Sequence, residues 1–201
     1  MLVSGSTHHA IEKWLDQIGE PGVRRRAEFC YQQIDALRSL HRQVRHDLLV
    51  ESHKHPATEL LRQIPSIGPI RATLLVALIQ TPHRFRTKRQ IWAYSGLGLK
   101  TYSSGEYRYV AGQLRRTKRP ASIRGLNHNH NHDLKNIFKG AAIRAAITAG
   151  PLQDFYAAMV ARGIKPSMAR LTLARKIAAI TLLIWKKGVR FDAAYLKQQA
   201  A

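Results

Sequence analysis

The chain has a single cysteine, Cys30, among its 201 residues. One thiol excludes an internal disulfide, and a reducing compartment is the expectation. Acidic residues are scarce: 12 Asp+Glu face 33 Lys+Arg, giving a formal net charge of +21. The few acids are scattered, so they offer no paired carboxylates for two-metal chemistry. No run of about 18 apolar residues occurs, which excludes a membrane-spanning helix. The stretch Met1-Leu-Val-Ser-Gly-Ser-Thr-His-His9 lacks the basic region and apolar core of a signal peptide. The expected location is the cytoplasm.

What remains is a chain with 45% hydrophobic residues. That fraction argues against wholesale disorder, and the length is enough to bury a core. A surface this cationic repels itself unless a polyanion neutralises it, and nucleic acid is the first candidate. An anionic membrane is the second, but no basic amphipathic terminus supports it.

The periodicity predicts a nearly all-α chain in two parts. Residues 1–56 read as a helical, coiled-coil-like segment. A short helix places Ile11, Leu15 and Ile18 on one face, and Pro21-Gly22 interrupts it. A long helix follows, roughly Val23 to His53. Cys30, Ile34, Leu37, Val44 and Leu48, with His41 between, step by fours and threes as a heptad seam does. The seam fits either self-association or packing on the chain's own domain. His53-Lys-His-Pro56 reads as a linker, with Pro56 as the stop.

Residues 57–201 read as a compact helical domain. Two helices at about 59–78 are joined by Ile64-Pro-Ser-Ile-Gly-Pro69. Pro65 ends the first helix, Gly68 supplies a positive φ for the turn, and Pro69 opens the second helix. This pattern resembles the helix-hairpin-helix motif, whose turn amides hold a DNA phosphate as helix N-termini do. Ser66 stands where that motif usually has glycine. The alternative is an ordinary helical corner.

Thr81 to Thr87 is a loop carrying Arg84 and Arg86. Thr87 caps a short helix, Lys88 to Tyr94, and Ser95-Gly96 closes it. The stretch of about 97–125 changes character, with glycines and Tyr102, Tyr107 and Tyr109 favouring extended structure. A small β-hairpin or irregular loop is expected there, centred on Ser103-Ser-Gly105. Arg108, Arg115, Arg116, Lys118, Arg119 and Arg124 make this loop strongly basic, and phosphate contact is the reading. The tyrosines fit either stacking on unpaired bases or core packing. Asn127-His-Asn-His-Asn-His132 alternates as some metal sites do, yet lacks a ligand set, since only Asp133 adjoins it. It reads as a polar lead-in, with Asn131 or His132 near the N-cap of a helix running to Gly150. Further helices follow from Pro151 and from Pro166 to Lys187, with a short docked tail at 191–195.

Taken in order, these segments resemble the C-terminal half of transposases of the insertion-sequence one-ten family, closest to its eleven-eleven subgroup. Piv-type DNA invertases are relatives. The resemblance rests on Ile64–Pro69, Arg84–Gln90, Ala93–Leu97, Tyr102–Gly105 and Asn131–Lys135, and covers about 57–195. It implies a recombinase whose RuvC-like domain supplies a Mg2+-binding acidic tetrad. In such enzymes a serine of the C-terminal domain attacks a DNA phosphate, and a structured guide RNA takes part.

Carried onto this chain, the nucleophile is Ser104, with Ser103 as the alternative. The nucleic-acid contacts expected are Ser66, Gly68, Arg71, Arg84, Arg86, Lys88, Arg108, Arg115, Arg116, Lys118, Arg119 and Arg124. The acidic tetrad has no counterpart here. No metal or cofactor is therefore expected on this chain, and Mg2+ only with a RuvC-like half. The expected partners are DNA, a guide RNA, a second copy through the N-terminal helix, and a RuvC-like half or intact transposase. A non-catalytic nucleic-acid-binding module is the alternative, and taken alone Ser104 would be a turn residue.

Overall fold

The structure is a computed structural model, and it describes residues 12–102, 107–116 and 122–197. It divides into two compact units, 1–51 and 52–201.

In the first unit, a helical segment over residues 12–16 (α1) precedes the long helix α2, Pro21–Ser52. Glu20 caps α2: its carboxylate accepts from the amides of Gly22 at 3.0 Å and Val23 at 2.7 Å. Those two amides have no partner within the helix. Arg24 reaches both Asp16 and Glu28, and Arg25 also reaches Glu28. The two arginines hold the Glu28 carboxyl below its ordinary range. Trp14 meets Tyr31 edge to face. The expected seam is on the surface: Cys30, Ile34, Leu37 and Val44 are all exposed.

The second unit is built on α8, Pro166–Lys187. Leu173, Ile177, Ile180, Thr181 and Ile184 are fully buried along it. It packs against α6 (His132–Ile147), α7 (Pro151–Ala161), α5 (Lys88–Tyr94) and α3 (Pro56–Arg62). A helix surrounded this way must be apolar on most of its circumference. Lys176 is the exception. It is buried, and its amine donates to the Leu196 carbonyl at 2.9 Å, fastening the short tail helix α9 (Ala194–Lys197). Burial, with a smaller push from Lys88, lowers its pKa.

Six prolines open helical elements: Pro21, Pro56, Pro69, Pro82, Pro151 and Pro166. The first helical position tolerates a residue without an N–H. Pro56, expected as a stop, is therefore the start of α3. Asn131 caps α6, its side chain accepting from the Leu134 amide at 2.9 Å. The helix ends at Ile147, short of Gly150. Thr87 precedes α5 as expected, but its side chain makes no cap bond. Gln90 reaches back instead and accepts from the Arg86 amide at 2.5 Å.

Four short strands form two antiparallel ribbons. Leu99–Tyr102 (β1) pairs with Ser122–Leu126 (β4), and Tyr107–Val110 (β2) pairs with Gln113–Arg116 (β3). The expected hairpin or irregular loop at Ser103-Ser-Gly105 lies outside the described residues, and the tight turn among them is elsewhere. It lies at Ala111-Gly112, whose φ values of 51° and 77° suit a two-residue hairpin loop. Among the described residues no helix is long and apolar enough to cross a membrane.

Candidate nucleic-acid interface

The turn between α3 and α4 (Pro69–Ile79) does not use Gly68 as expected. Gly68 is extended, with φ −76° and ψ 176°, and serves as the N-cap of α4. The positive φ, 71°, falls on Ser66. Three features hold the turn. Ile64 and Ile67 are buried on either side of Ser66. The Arg71 guanidinium donates to the Ser66 carbonyl at 3.1 Å. Gly140 on α6 leaves room for that guanidinium, since a Cβ there would stand 3.2 Å from its Nη2. Arg71 is thus partly engaged in holding the turn. The amides at the start of α4 have no partner within the helix and remain suited to an anion.

Arg84 and Arg86 sit on a braced loop, and Lys88 opens α5 beside it. Arg84 lies over the Tyr94 ring at 4.6 Å and donates to its hydroxyl at 3.2 Å. Lys88 lies over Trp92. Lys186 of α8 donates to the Phe85 carbonyl from below. Stacking fixes these cations without neutralising them.

The polar run 127–132 is clamped to the end of α5. The Asn127 side chain donates to the Ala93 carbonyl, and the Asn131 amide to the Tyr94 carbonyl at 2.8 Å. The His130 ring rests on Gly96, where φ is 66° and a Cβ would clash with the imidazole at 2.4 Å. Desolvation first, then the nearby Lys135 charge, lowers the His130 pKa. Among the described residues no three His, Cys, Asp or Glu side chains gather around one point. The Mg2+ implied by the resemblance has no donor set among them.

The ribbons carry the densest charge. Arg108 is directly opposite Arg115, and Tyr107 opposite Arg116. Arg124 lies on β4. Tyr107, Tyr109 and Leu114 are more than half exposed, so neither tyrosine belongs to the core. Ser104 lies in the connection from β1 to β2, and Lys118 and Arg119 in that from β3 to β4. These three residues and Ser103 fall outside the described residues.

The sequence model described as "Transposase IS116/IS110/IS902 family" matches residues 58–125. Over residues 58–125 the chain is similar to that transposase family. The match runs from α3 into β4 and includes every expected contact from Ser66 to Arg124. No curated protein matches the chain. The role of the chain is accordingly transposase-related. Sequence reasoning missed Gly140 and Gln90. Gln90 was visible in principle as the third helical residue after Thr87. Gly140 was not, because its partner lies on another helix.

Proposed function

We propose that this chain is the DNA-binding part of a transposase, and that Ser104 is the nucleophile of strand exchange. The observation that carries the reading is the β2–β3 ribbon. An isolated two-stranded ribbon is marginal in water. This one is exposed at Tyr107, Tyr109, Val110 and residues 111–115, and its register sets Arg108 opposite Arg115, a like-charge pairing that weakens it further. Such a ribbon makes physical sense against a polyanion, and a two-stranded ribbon fits the DNA major groove. The turn at Ser66–Gly68 with Arg71 adds a phosphate contact of helix-hairpin-helix type. Arg84, Arg86 and Lys88 extend the cationic surface, and Arg115, Arg116, Lys118, Arg119 and Arg124 follow the serine closely in sequence.

In the proposed step the Ser104 oxygen bonds to phosphorus while one strand P–O bond breaks, and the departing sugar oxygen takes up a proton. The surrounding cations would stabilise charge on the phosphate oxygens. A RuvC-like half, supplied with its Mg2+ by another segment or polypeptide, would complete the enzyme. The exposed seam of α2 would join two copies, since apolar residues repeated in heptads seek a partner helix. The same cationic surface would take a guide RNA.

The test is a salt titration of DNA and RNA binding, paired with a covalent-adduct assay on the protein and Ser104→Ala. Binding should weaken linearly in log–log form as salt rises, by about 0.9 per phosphate neutralised on duplex DNA. An adduct, formed with the RuvC-like half present, should vanish in Ser104→Ala. Affinity without salt dependence overturns the binding proposal. An adduct that survives the substitution moves the nucleophile elsewhere, with Ser103 next. Binding that never yields an adduct makes the chain a non-catalytic module.

A further inference from the structure

A groove of about 430 Å³ runs between α6 and α8, away from the residues assigned above. Its floor is aliphatic: Leu97, Leu126, Ala142, Leu171 and Ala174. Ile143 and Met168 form its edges, each 53% exposed. Its charged residues are Lys135, Lys139 and Arg170, and among the described residues no acidic one lines it. Both walls follow helical spacing. Positions 135, 139, 142 and 143 come from one face of α6, and 167, 168, 170, 171 and 174 from one face of α8.

We propose that this groove receives an amphipathic helix from another protein, with aliphatic residues at i, i+3 or i+4 and i+7 and acidic residues beside them. Shape and chemistry argue for a helix: an aliphatic trough between two helices is the usual seat for one. Charge argues for acidic flanks, because three cations at an apolar trough oppose any basic partner. A nucleic acid is the poorer fit. Unpaired bases are held by stacking on aromatic rings, and among the described residues no aromatic one lines the groove. A second copy is poorer still, since the groove's cations call for an acidic partner and the chain has only 12 Asp+Glu against 33 Lys+Arg.

The probe is a synthetic, fluorescently labelled peptide of about 18 residues, long enough to hold helix, with leucines on one face and glutamates beside them. Three control peptides replace the leucines by glutamine, replace the glutamates by lysine, or scramble the order. The acidic amphipathic peptide should bind the full chain saturably, and the three controls should not. Ile143→Asp and Met168→Asp should each weaken it about tenfold, the scale of losing a central apolar contact. Both positions are half exposed, so the fold should tolerate the change; circular dichroism checks this. Lys139→Glu on the exposed rim should weaken the peptide and leave oligonucleotide affinity intact.

The proposal is overturned if the acidic peptide fails to bind or binds the variants equally. It is also overturned if glutamine-for-leucine peptides bind as well, since charge alone would then suffice. Loss of oligonucleotide binding in Ile143→Asp would assign the groove to nucleic acid. Loss of self-association in the same variant would assign it to a second copy. Either result excludes the acidic helix.

Discussion

Arg175 donates through Nε to the carbonyl of Leu97 at 2.7 Å, joining α8 to the turn after α5. The link is reciprocated nearby, where the Trp92 indole donates to the Arg175 carbonyl at 2.8 Å. The Trp92 carbonyl in turn accepts from the amides of Leu97 and Gly98, both at 2.8 Å. These bonds fix where the chain leaves the helical core and enters the ribbons. Arg175→Met leaves the buried Leu97 carbonyl without its charged donor. The expected cost is about 1–3 kcal/mol, and Trp92→Phe should cost about 1 kcal/mol. Urea unfolding measures both. An Arg175→Met midpoint equal to that of the parent chain would show that the bond does not hold the turn.

Ser66 stores strain. A non-glycine residue at φ 71° sits in the left-handed region, which costs roughly 1–2 kcal/mol. Its hydroxyl oxygen is also buried with no hydrogen-bond partner among the described residues. Ser66→Gly removes both penalties, at an entropic cost in the unfolded chain of about 0.4–1 kcal/mol. The net expectation is a gain of up to about 1 kcal/mol, read as a higher melting temperature. Ser66→Val puts a β-branched residue where φ is positive and should lower it. A fall in melting temperature for the glycine variant would mean the serine contributes a contact that outweighs its strain.

Acid should loosen the first unit. Arg25 and Arg24 hold the Glu28 carboxyl below its ordinary value of 4.5. The folded value is thus lower than the unfolded one. Its stabilising contribution is complete above 4.5 and disappears as pH falls through the lowered value. These ions are at the surface, so the effect is small and is screened by salt. Helical circular dichroism of the full chain should decline as the pH falls below 4.5, and Glu28→Gln should flatten part of that decline. Identical acid profiles for the two proteins would remove Glu28 from the account.

What the sequence disclosed and what it hid follow from the range of the interactions. Helix starts were legible at Pro69, Pro151 and Pro166, and the α6 cap at Asn131, because each signal lies within one turn of the element it marks. The turn at Ser66 was misplaced and the hairpin at Ala111 was missed for one reason. In both, a residue other than glycine takes a positive φ, against its own preference, because the surrounding structure imposes it. Pairings such as Trp92 with Arg175, or Gly140 with Arg71, join elements far apart in sequence and carry no local mark. The groove between α6 and α8 was invisible for the same reason. Of the expected contacts, those in 66–88 lie on described, braced elements. Ser104, Lys118 and Arg119 lie outside the described residues.

The ribbon offers the sharpest test, because its two expected effects have opposite signs. Arg108 and Arg115 are direct cross-strand partners. Like charges at such a pair destabilise it, on a scale of about 0.2–1 kcal/mol, and threonine suits a strand better than arginine does. Arg108→Thr should therefore increase amide-exchange protection across Tyr107–Val110 and Gln113–Arg116. If Arg108 neutralises a phosphate, the same change should weaken duplex DNA and make the salt slope shallower by about 0.9. The double variant, with Arg115→Thr, should roughly double the slope change while adding little more protection, since one substitution already relieves the repulsion. A purely structural role for the two arginines predicts firmer protection with an unchanged slope. A contact role predicts both changes together, and an unaltered slope in the double variant would remove this ribbon from the DNA interface.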